Sequence, residues 1–203
     1  MLLLRHAQST WNAEGRWQGR SDPPLSELGI AEATAAAEAV ARSQTAELDR
    51  VDAIVSSDLL RARQTADILA ERLGWGGVAL FPGLRERDVG EFTGLTRAEI
   101  ESRWPGLLAR IPLDPPGAEP IASVLVRAVA TLHRVASLHP DGRVVAVTHG
   151  ALIRTVERHL GIVEQGPPRN LTGRWIRVDG GRLLTGPRAL LRPTPVATEP
   201  VAR

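Results

Sequence analysis

Residues 2–12 read LLLRHAQSTWN. Three leucines run without a break into Arg5 and His6, and a polar stretch follows. A short continuous apolar run bounded by polar residues is the pattern of a strand buried on both faces. Ending such a strand on a guanidinium and an imidazole does nothing for packing. Ligands of open parallel sheets bind at the carboxyl ends of the strands. The stretch therefore predicts a central strand whose last residues carry chemistry.

Similar runs recur along the chain. VDAIVSS (51–57), VALF (78–81) and RVVAVTHG (143–150) predict three more buried strands, the last opening onto a helix over 151–160. SELGIAEATAAAEAVARS (26–43) predicts a helix with Ser26 as its N-cap. DLLRARQTADILAERLG (58–74) predicts an amphipathic helix with Asp58 at its start and Gly74 as its stop. Further helices are expected over 96–104, ending before Pro105, and over 121–138. LRERDVGEFTGL (84–95) reads as an ordered loop, and IPLDPPGAEP (111–120) as a proline-rich connection. RWIRVDGGRLL (174–184) reads as a hairpin with a Gly-Gly turn. This order predicts an α/β fold of three layers, a mostly parallel central sheet flanked by helices. One domain is expected over 1–186, with a proline-containing tail over 187–203, extended or mobile.

Bulk composition narrows the function classes. The chain has 203 residues, 43% of them apolar, enough for one domain with a sizeable core. With no cysteine, disulfides and thiolate metal sites are excluded. Net charge is only +2 although the pI is 10.6, because all 25 cations are arginine, which does not deprotonate. There is no arginine cluster interleaved with aromatics, so no nucleic-acid partner is expected. The N-terminal apolar run, Met1 to Leu4, is too short for a secretion signal or a membrane span. No later segment reaches ~18 apolar residues. The expectation is a soluble, cytoplasmic protein without membrane association, a monomer or a homodimer.

Five groups fall at the predicted carboxyl edge. Arg5 and His6 end the first strand and His149 ends the fourth. Arg61 lies on the first turn after the second strand, and Glu86 in the loop after the third. Each alone is ordinary: a structural histidine, a solvated helix arginine, a charged loop. Together they suit one chemistry. Guanidiniums hold phosphate by paired hydrogen bonds and stay charged. An imidazole can attack phosphorus, a carboxylic acid can protonate the leaving oxygen, and helix-start amides add donors. Several buried cations in one place are costly without an anion. A small phosphate monoester is the expected ligand. No Asp/His cluster has metal spacing, so neither a metal nor an organic cofactor is expected.

These residues carry a resemblance. LLLRHAQSTWN, GRWQGRSDPPLSELGIAEA, VSSDLLRARQTA, LRERDVGEFTGL and VVAVTHG resemble, in order, the blocks of the histidine phosphatase superfamily, with its phosphoglycerate-mutase-like fold. The resemblance covers residues 2 to about 185. It implies that His6 is the phosphorylated nucleophile and Glu86 the proton donor. Arg5, Arg61 and His149 complete the phosphate pocket, and Asn12, Gln18, Gly19 and Gly150 add substrate contacts. It implies a metal-independent, histidine acid phosphatase-type phosphomonoesterase, whose phosphohistidine is then hydrolysed.

The chain departs from the family pattern at Ala7, usually glycine, at Thr93, usually glutamate, and at Pro120, usually serine. Those changes bear on substrate contacts rather than on the phosphoryl-transfer core. The resembling cofactor-dependent mutases carry a longer insertion after the acid loop. Here about sixty residues separate Glu86 from His149, which favours hydrolysis in an open pocket. The alternatives are a cofactor-dependent phosphoglycerate mutase and a catalytically idle binder of phosphorylated ligands.

Overall fold

A computed structural model describes residues 1–43, 51–110, 113–162 and 168–191. Six strands form one sheet: β1 (Leu2–Arg5), β2 (Ala53–Ser56), β3 (Ala79–Leu80), β4 (Val144–Thr148), β5 (Thr172–Asp179) and β6 (Arg182–Leu190). Their order is β3-β2-β4-β1-β5-β6. The first four are parallel; β5 runs antiparallel to β1, and β6 antiparallel to β5. The helices are α1 (Thr10–Ala13), α2 (Glu27–Ser43), α3 (Leu60–Leu73), α4 (Arg97–Arg103), α5 (Ile121–Leu138) and α6 (Gly150–His159).

The opening leucines divide between two cores. Leu2 and Leu4 pack with Ala33, Ala36, Ala66 and Leu69 from α2 and α3. Leu3 points the other way, against Val124 and Leu132 of α5 and Ile153 of α6. Successive side chains on a strand face opposite sides, so a strand covered on both faces reads as an unbroken apolar run. The three layers follow, with α2 and α3 on one face and α5 and α6 on the other. Helix α5 has the length and apolarity of a membrane span, with a mean hydropathy of 1.4. Its stripe of Val124, Ala128, Leu132 and Val135 is fully buried against the sheet.

A third, smaller core sits beyond the carboxyl edge of the sheet. Val89, Phe92 and Ile100 pack with Trp17, Trp104 and Leu113. It ties the loop after β3 and helix α4 to the segment after α1. The Phe92 ring lies 5.4 Å from both Trp17 and Trp104.

Several element ends differ from the sequence expectation, each for a local reason. Ser26 does cap α2, accepting from the Gly29 amide at 3.0 Å. Asp58 does not cap α3, because its carboxylate is bound by Arg85 at 2.7 Å. The first α3 amide, Leu60 N–H, is instead taken by Asp22 from a distant loop. Gly74 ends α3 at φ +65°, as expected. Helix α1 is an addition: its four residues are held by a capping box between Ser9 and Asn12 within the polar stretch.

The hairpin is longer than 174–184. It turns at Gly180 and Gly181, both at positive φ, and β6 continues to Leu190, which pairs with Thr172. The boundary at 186 is therefore corrected, since residues 187–190 belong to the sheet. Pro187 does not stop the strand because β6 is an edge strand and its ladder is irregular opposite Trp175. A missing amide is tolerated at such places. The rest of the expected tail, 192–203, and the start of the proline-rich connection, 111–112, lie outside the described residues.

Candidate active site

Strand register brings the two histidines together. Arg5 of β1 pairs with Thr148 of β4, so the next residues, His6 and His149, leave the sheet side by side. The His6 amide donates to the Thr148 carbonyl at 3.0 Å, and the two rings lie 5.2 Å apart. Both side chains are buried. Burial pushes the pKa of His6 well below the ordinary imidazole value, and the charges of Arg61 and Arg5 push it further. Burial does the same to His149, again helped by Arg61.

The hydrogen bonds of His6 define its tautomer. Nδ1 lies 2.6 Å from the Ala7 carbonyl oxygen, which can only accept, so Nδ1 carries the proton. The Nε2 lone pair then faces Arg61, whose Nε donates to it at 3.2 Å. Arg61 is itself clamped, giving NH1 to the Ser21 carbonyl at 2.7 Å and NH2 to the Gly19 carbonyl at 2.9 Å. Burial lowers its pKa to about 10, still well above neutrality, with Glu86 and Asp22 opposing the shift.

Arg5 and His149 each keep a donor in hand. Arg5 gives NH1 to the Pro168 carbonyl at 2.6 Å, while its buried Nε has no partner. His149 Nε2 lies 2.9 Å from Ser57 Oγ, and its buried Nδ1 has no partner. Ser57 Oγ already accepts the Leu59 amide, so its own hydrogen is available to His149 Nε2. In the tautomer where Ser57 gives that hydrogen to Nε2, Nδ1 is the protonated nitrogen. Two orphaned buried donors beside a nucleophilic nitrogen are what a phosphoryl group satisfies, since buried polar groups are otherwise paired.

Glu86 reaches the same place from the loop after β3. Its Oε1 accepts the amides of Arg87 at 2.9 Å, Ala151 at 3.1 Å and Leu152 at 3.2 Å. Its Oε2 has only the shared Ala151 contact, at 3.2 Å, and so keeps a spare lone pair. The carboxylate thus sits on the N-terminus of α6, one residue past Gly150. As the first residue of α6, Gly150 has an amide with no intrahelical acceptor.

The expected substrate-contact residues Asn12, Gln18, Gly19 and Gly150 line one cavity of about 430 Å³ together with Arg5, His6, Arg61 and Glu86. His149 lies behind it, against His6. Asn12 has its carbonyl tied to the Ser9 amide, which leaves its NH₂ for a ligand. Gln18 takes the Ser9 hydroxyl on its carbonyl at 2.7 Å and keeps its NH₂ likewise. Gly19 also positions Arg61, through its carbonyl. It holds φ +49°, and a Cβ there would meet Val89 at 2.8 Å. A wider depression of about 1100 Å³ lies at the opposite, amino ends of the strands around Met1, His139 and Arg177. None of the nine expected site residues borders it.

Ala7 fits without strain. It is not among the residues at positive φ, and its amide donates to Thr65 Oγ1 at 3.0 Å. Thr93 is exposed and does not line the cavity; Pro120 serves as the N-cap of α5. Sequence reasoning missed four supporting residues. Ser57 orients His149, Thr65 holds the Ala7 amide, Ser9 anchors Asn12 and Gln18, and Asn170 donates to the His6 carbonyl at 2.8 Å. Only Ser9 had a local signal, in its capping-box spacing to Asn12.

Comparison with known proteins agrees with this geometry. The chain belongs to the histidine phosphatase superfamily, branch 1, whose model matches residues 1–174. A metal-independent phosphoserine phosphatase of Arabidopsis thaliana is 34% identical over 162 residues, 77% of this chain and 66% of that protein. The chain thus covers just under two thirds of that relative's length. A 2,3-bisphosphoglycerate-dependent phosphoglycerate mutase of a Methylobacterium strain is 33% identical over 77% of each chain. Among solved structures, a mycobacterial glucosyl-3-phosphoglycerate phosphatase in complex with VO3 superposes with a TM-score of 0.76. It is 32% identical, covering 91% of this chain and 96% of the other.

Proposed function

We propose that the protein is a metal-independent phosphomonoesterase of the histidine acid phosphatase type, working through a phosphohistidine at His6. The observation that carries this reading is the fixed tautomer of His6, with Nδ1–H on the Ala7 carbonyl and Nε2 unprotonated beside two guanidiniums. Phosphate oxygens would take Arg5 Nε, His149 Nδ1, the Arg61 guanidinium and the Gly150 amide. They would draw the Arg61 Nε–H off His6 Nε2 and free its lone pair. Nε2 then forms the N–P bond as the P–O ester bond breaks, and the protonated Glu86 gives its proton to the leaving oxygen. Glu86, now ionised, takes a proton from water as that water attacks phosphorus. The N–P bond breaks, inorganic phosphate leaves, and both residues return to their starting states. The fixed positive charge comes from arginine, and no group of three or more metal-binding side chains occurs among the described residues.

Burial keeps His6 neutral below its ordinary titration range, so attack should persist into mild acid. A mutase reading draws on the bisphosphoglycerate-dependent relative. It is distinguished by whether 3-phosphoglycerate is interconverted with its 2-isomer or loses phosphate. The central test compares wild type with His6→Ala on p-nitrophenyl phosphate in excess EDTA. Wild type should turn over and show an acid-labile phosphoryl group on rapid quench into alkali. His6→Ala should do neither. Substantial turnover in His6→Ala, or a wild type that needs added Mg²⁺ or Zn²⁺, overturns the mechanism.

A further inference from the structure

Arg127 lies on α5 and does not line the cavity, so no step of the proposed chemistry uses it. Every N–H of its guanidinium is nevertheless committed. Nε and one hydrogen of NH2 grip the Glu119 carboxylate at 2.8 and 2.9 Å. NH1 donates to the carbonyls of Gly83 and Arg85 at 3.0 and 2.6 Å. NH2 gives its other hydrogen to the Glu86 carbonyl at 3.0 Å. Three carbonyls of the acid loop thus converge on one guanidinium.

Those oxygens repel one another, and a planar donor fork with a fixed charge can hold them in one place. The charge is answered by Glu119, whose side chain is only 11% exposed and also pairs with Arg20 at 2.9 Å. Against the opposing effect of burial, Arg127 and then Arg20 keep the Glu119 carboxyl below its ordinary value. The loop lies directly on α5 at this point. A Cβ on Gly83 would collide with Thr131 Oγ1, and that hydroxyl donates to the Arg127 carbonyl at 2.7 Å.

We propose that Arg127 is a positioning residue for the proton donor. It acts through Glu86 and touches no reacting atom, and the proposal rests on the phosphatase reading. Glu86 is held from two sides. Its carbonyl is tied to α5 through Arg127, and its carboxylate to α6 through the amides of Ala151 and Leu152. The α6 amides grip chiefly Oε1, which leaves the plane of the carboxyl free to swing. Fixing the main chain as well sets where Oε2 points. A general acid must bring its proton within hydrogen-bond reach of the leaving oxygen. A misplacement of about 1 Å can cost a factor on the order of 10².

The test follows phosphoryl transfer to His6 in single turnovers, on propyl phosphate and on p-nitrophenyl phosphate. A propoxide needs a proton to depart, and a nitrophenolate leaves with little help. Arg127→Gln should slow transfer from propyl phosphate by about 10- to 100-fold and from p-nitrophenyl phosphate by less than about threefold. In a Glu86→Gln background the same change should slow propyl phosphate by no more than about threefold, because the proton it places is already gone. Arg134→Gln, further along α5 against the Phe81 ring, should leave both substrates unchanged. Equal losses on the two esters, no loss on either, or a loss that persists in full in the Glu86→Gln background overturns the positioning role while the phosphatase reading stands. A wild type that hydrolyses neither ester overturns the phosphatase reading, and the positioning role with it. Thermal melts report whether Arg127→Gln is folded at the assay temperature. If it is not, Arg127→Lys takes its place with the same expectations, because it keeps the charge but cannot fork between Glu119 and the loop carbonyls.

Discussion

In the proposed mechanism Glu86 holds two roles in one carboxyl group, and they can be separated. Oε1 takes the amides of Arg87, Ala151 and Leu152, which orders the loop after β3 against α6. Oε2 is free to carry a proton. Glu86→Gln keeps a carbonyl oxygen for the three amides but loses the acid. General acid catalysis contributes roughly 10²–10⁴-fold, and most where the leaving group is a poor one. The variant should lose about that factor on an alkyl phosphate and much less on p-nitrophenyl phosphate. Single-turnover phosphorylation of His6 is the quantity to measure, because the same carboxyl is the proposed base in the second step. Equal losses on both substrates would make Glu86 a purely structural cap of α6.

Helix α6 positions two of the expected site residues, His149 before it and Gly150 at its start, and Arg154 further along it borders the same cavity. What fixes its far end is the ion pair between Glu157 and Arg174 of β5, both nearly excluded from solvent. A buried pair contributes little net stability, but removing one partner strands the other charge and costs about 3–5 kcal/mol. Glu157→Ala should lower the unfolding free energy by about that amount in urea titrations. A loss under about 1 kcal/mol would mean that Arg174 is held adequately by its other contacts, such as the Gly186 carbonyl. The acid loop depends on packing of another kind. Gly90 holds φ +52°, and a Cβ there would lie 2.1 Å from the Pro116 carbonyl oxygen. Gly90→Ala should therefore detach the loop from residues 116–118 and reduce kcat on alkyl phosphates more than on aryl ones, because the loop carries Glu86.

Over the whole molecule, the phosphate pocket makes stability depend on pH. His6 and His149 have folded-state pKa values well below their ordinary ones, chiefly through burial. An unfolded chain binds those protons near pH 6.5 while the folded chain still excludes them. Stability is thus greatest above about pH 6.5 and declines as pH falls below it. Thermal unfolding followed from pH 8 to pH 5 should show that decline. Inorganic phosphate or vanadate should raise the midpoint by binding only the folded state. A flat profile would show that these imidazoles are not buried in solution.

Sequence alone determined the sheet's central strands and the two histidines that end them. An unbroken apolar run is a local signature of burial on both faces, and the groups following it are fixed by chain connectivity. The ordered blocks around Arg5, Arg61, Glu86 and His149 named the same site for the same reason, since each sits at a fixed offset from a legible strand or helix. Tertiary structure decided the rest, because it depends on partners far apart in the chain. Which nitrogen of His6 keeps its lone pair follows from its Ala7 contact and from Arg61, clamped by Gly19 and Ser21. Asp22 rather than Asp58 meets the start of α3, Thr65 holds the amide after His6, and Ser57 sets the second imidazole. Pro187 read locally as the start of a tail, yet an irregular edge strand tolerates it and β6 runs on to Leu190. Whether an arginine is paired is likewise a question of neighbours in space. Arg87 and Arg154 both line the cavity, and only the fold brings Asp114 to within 2.8 Å of Arg87.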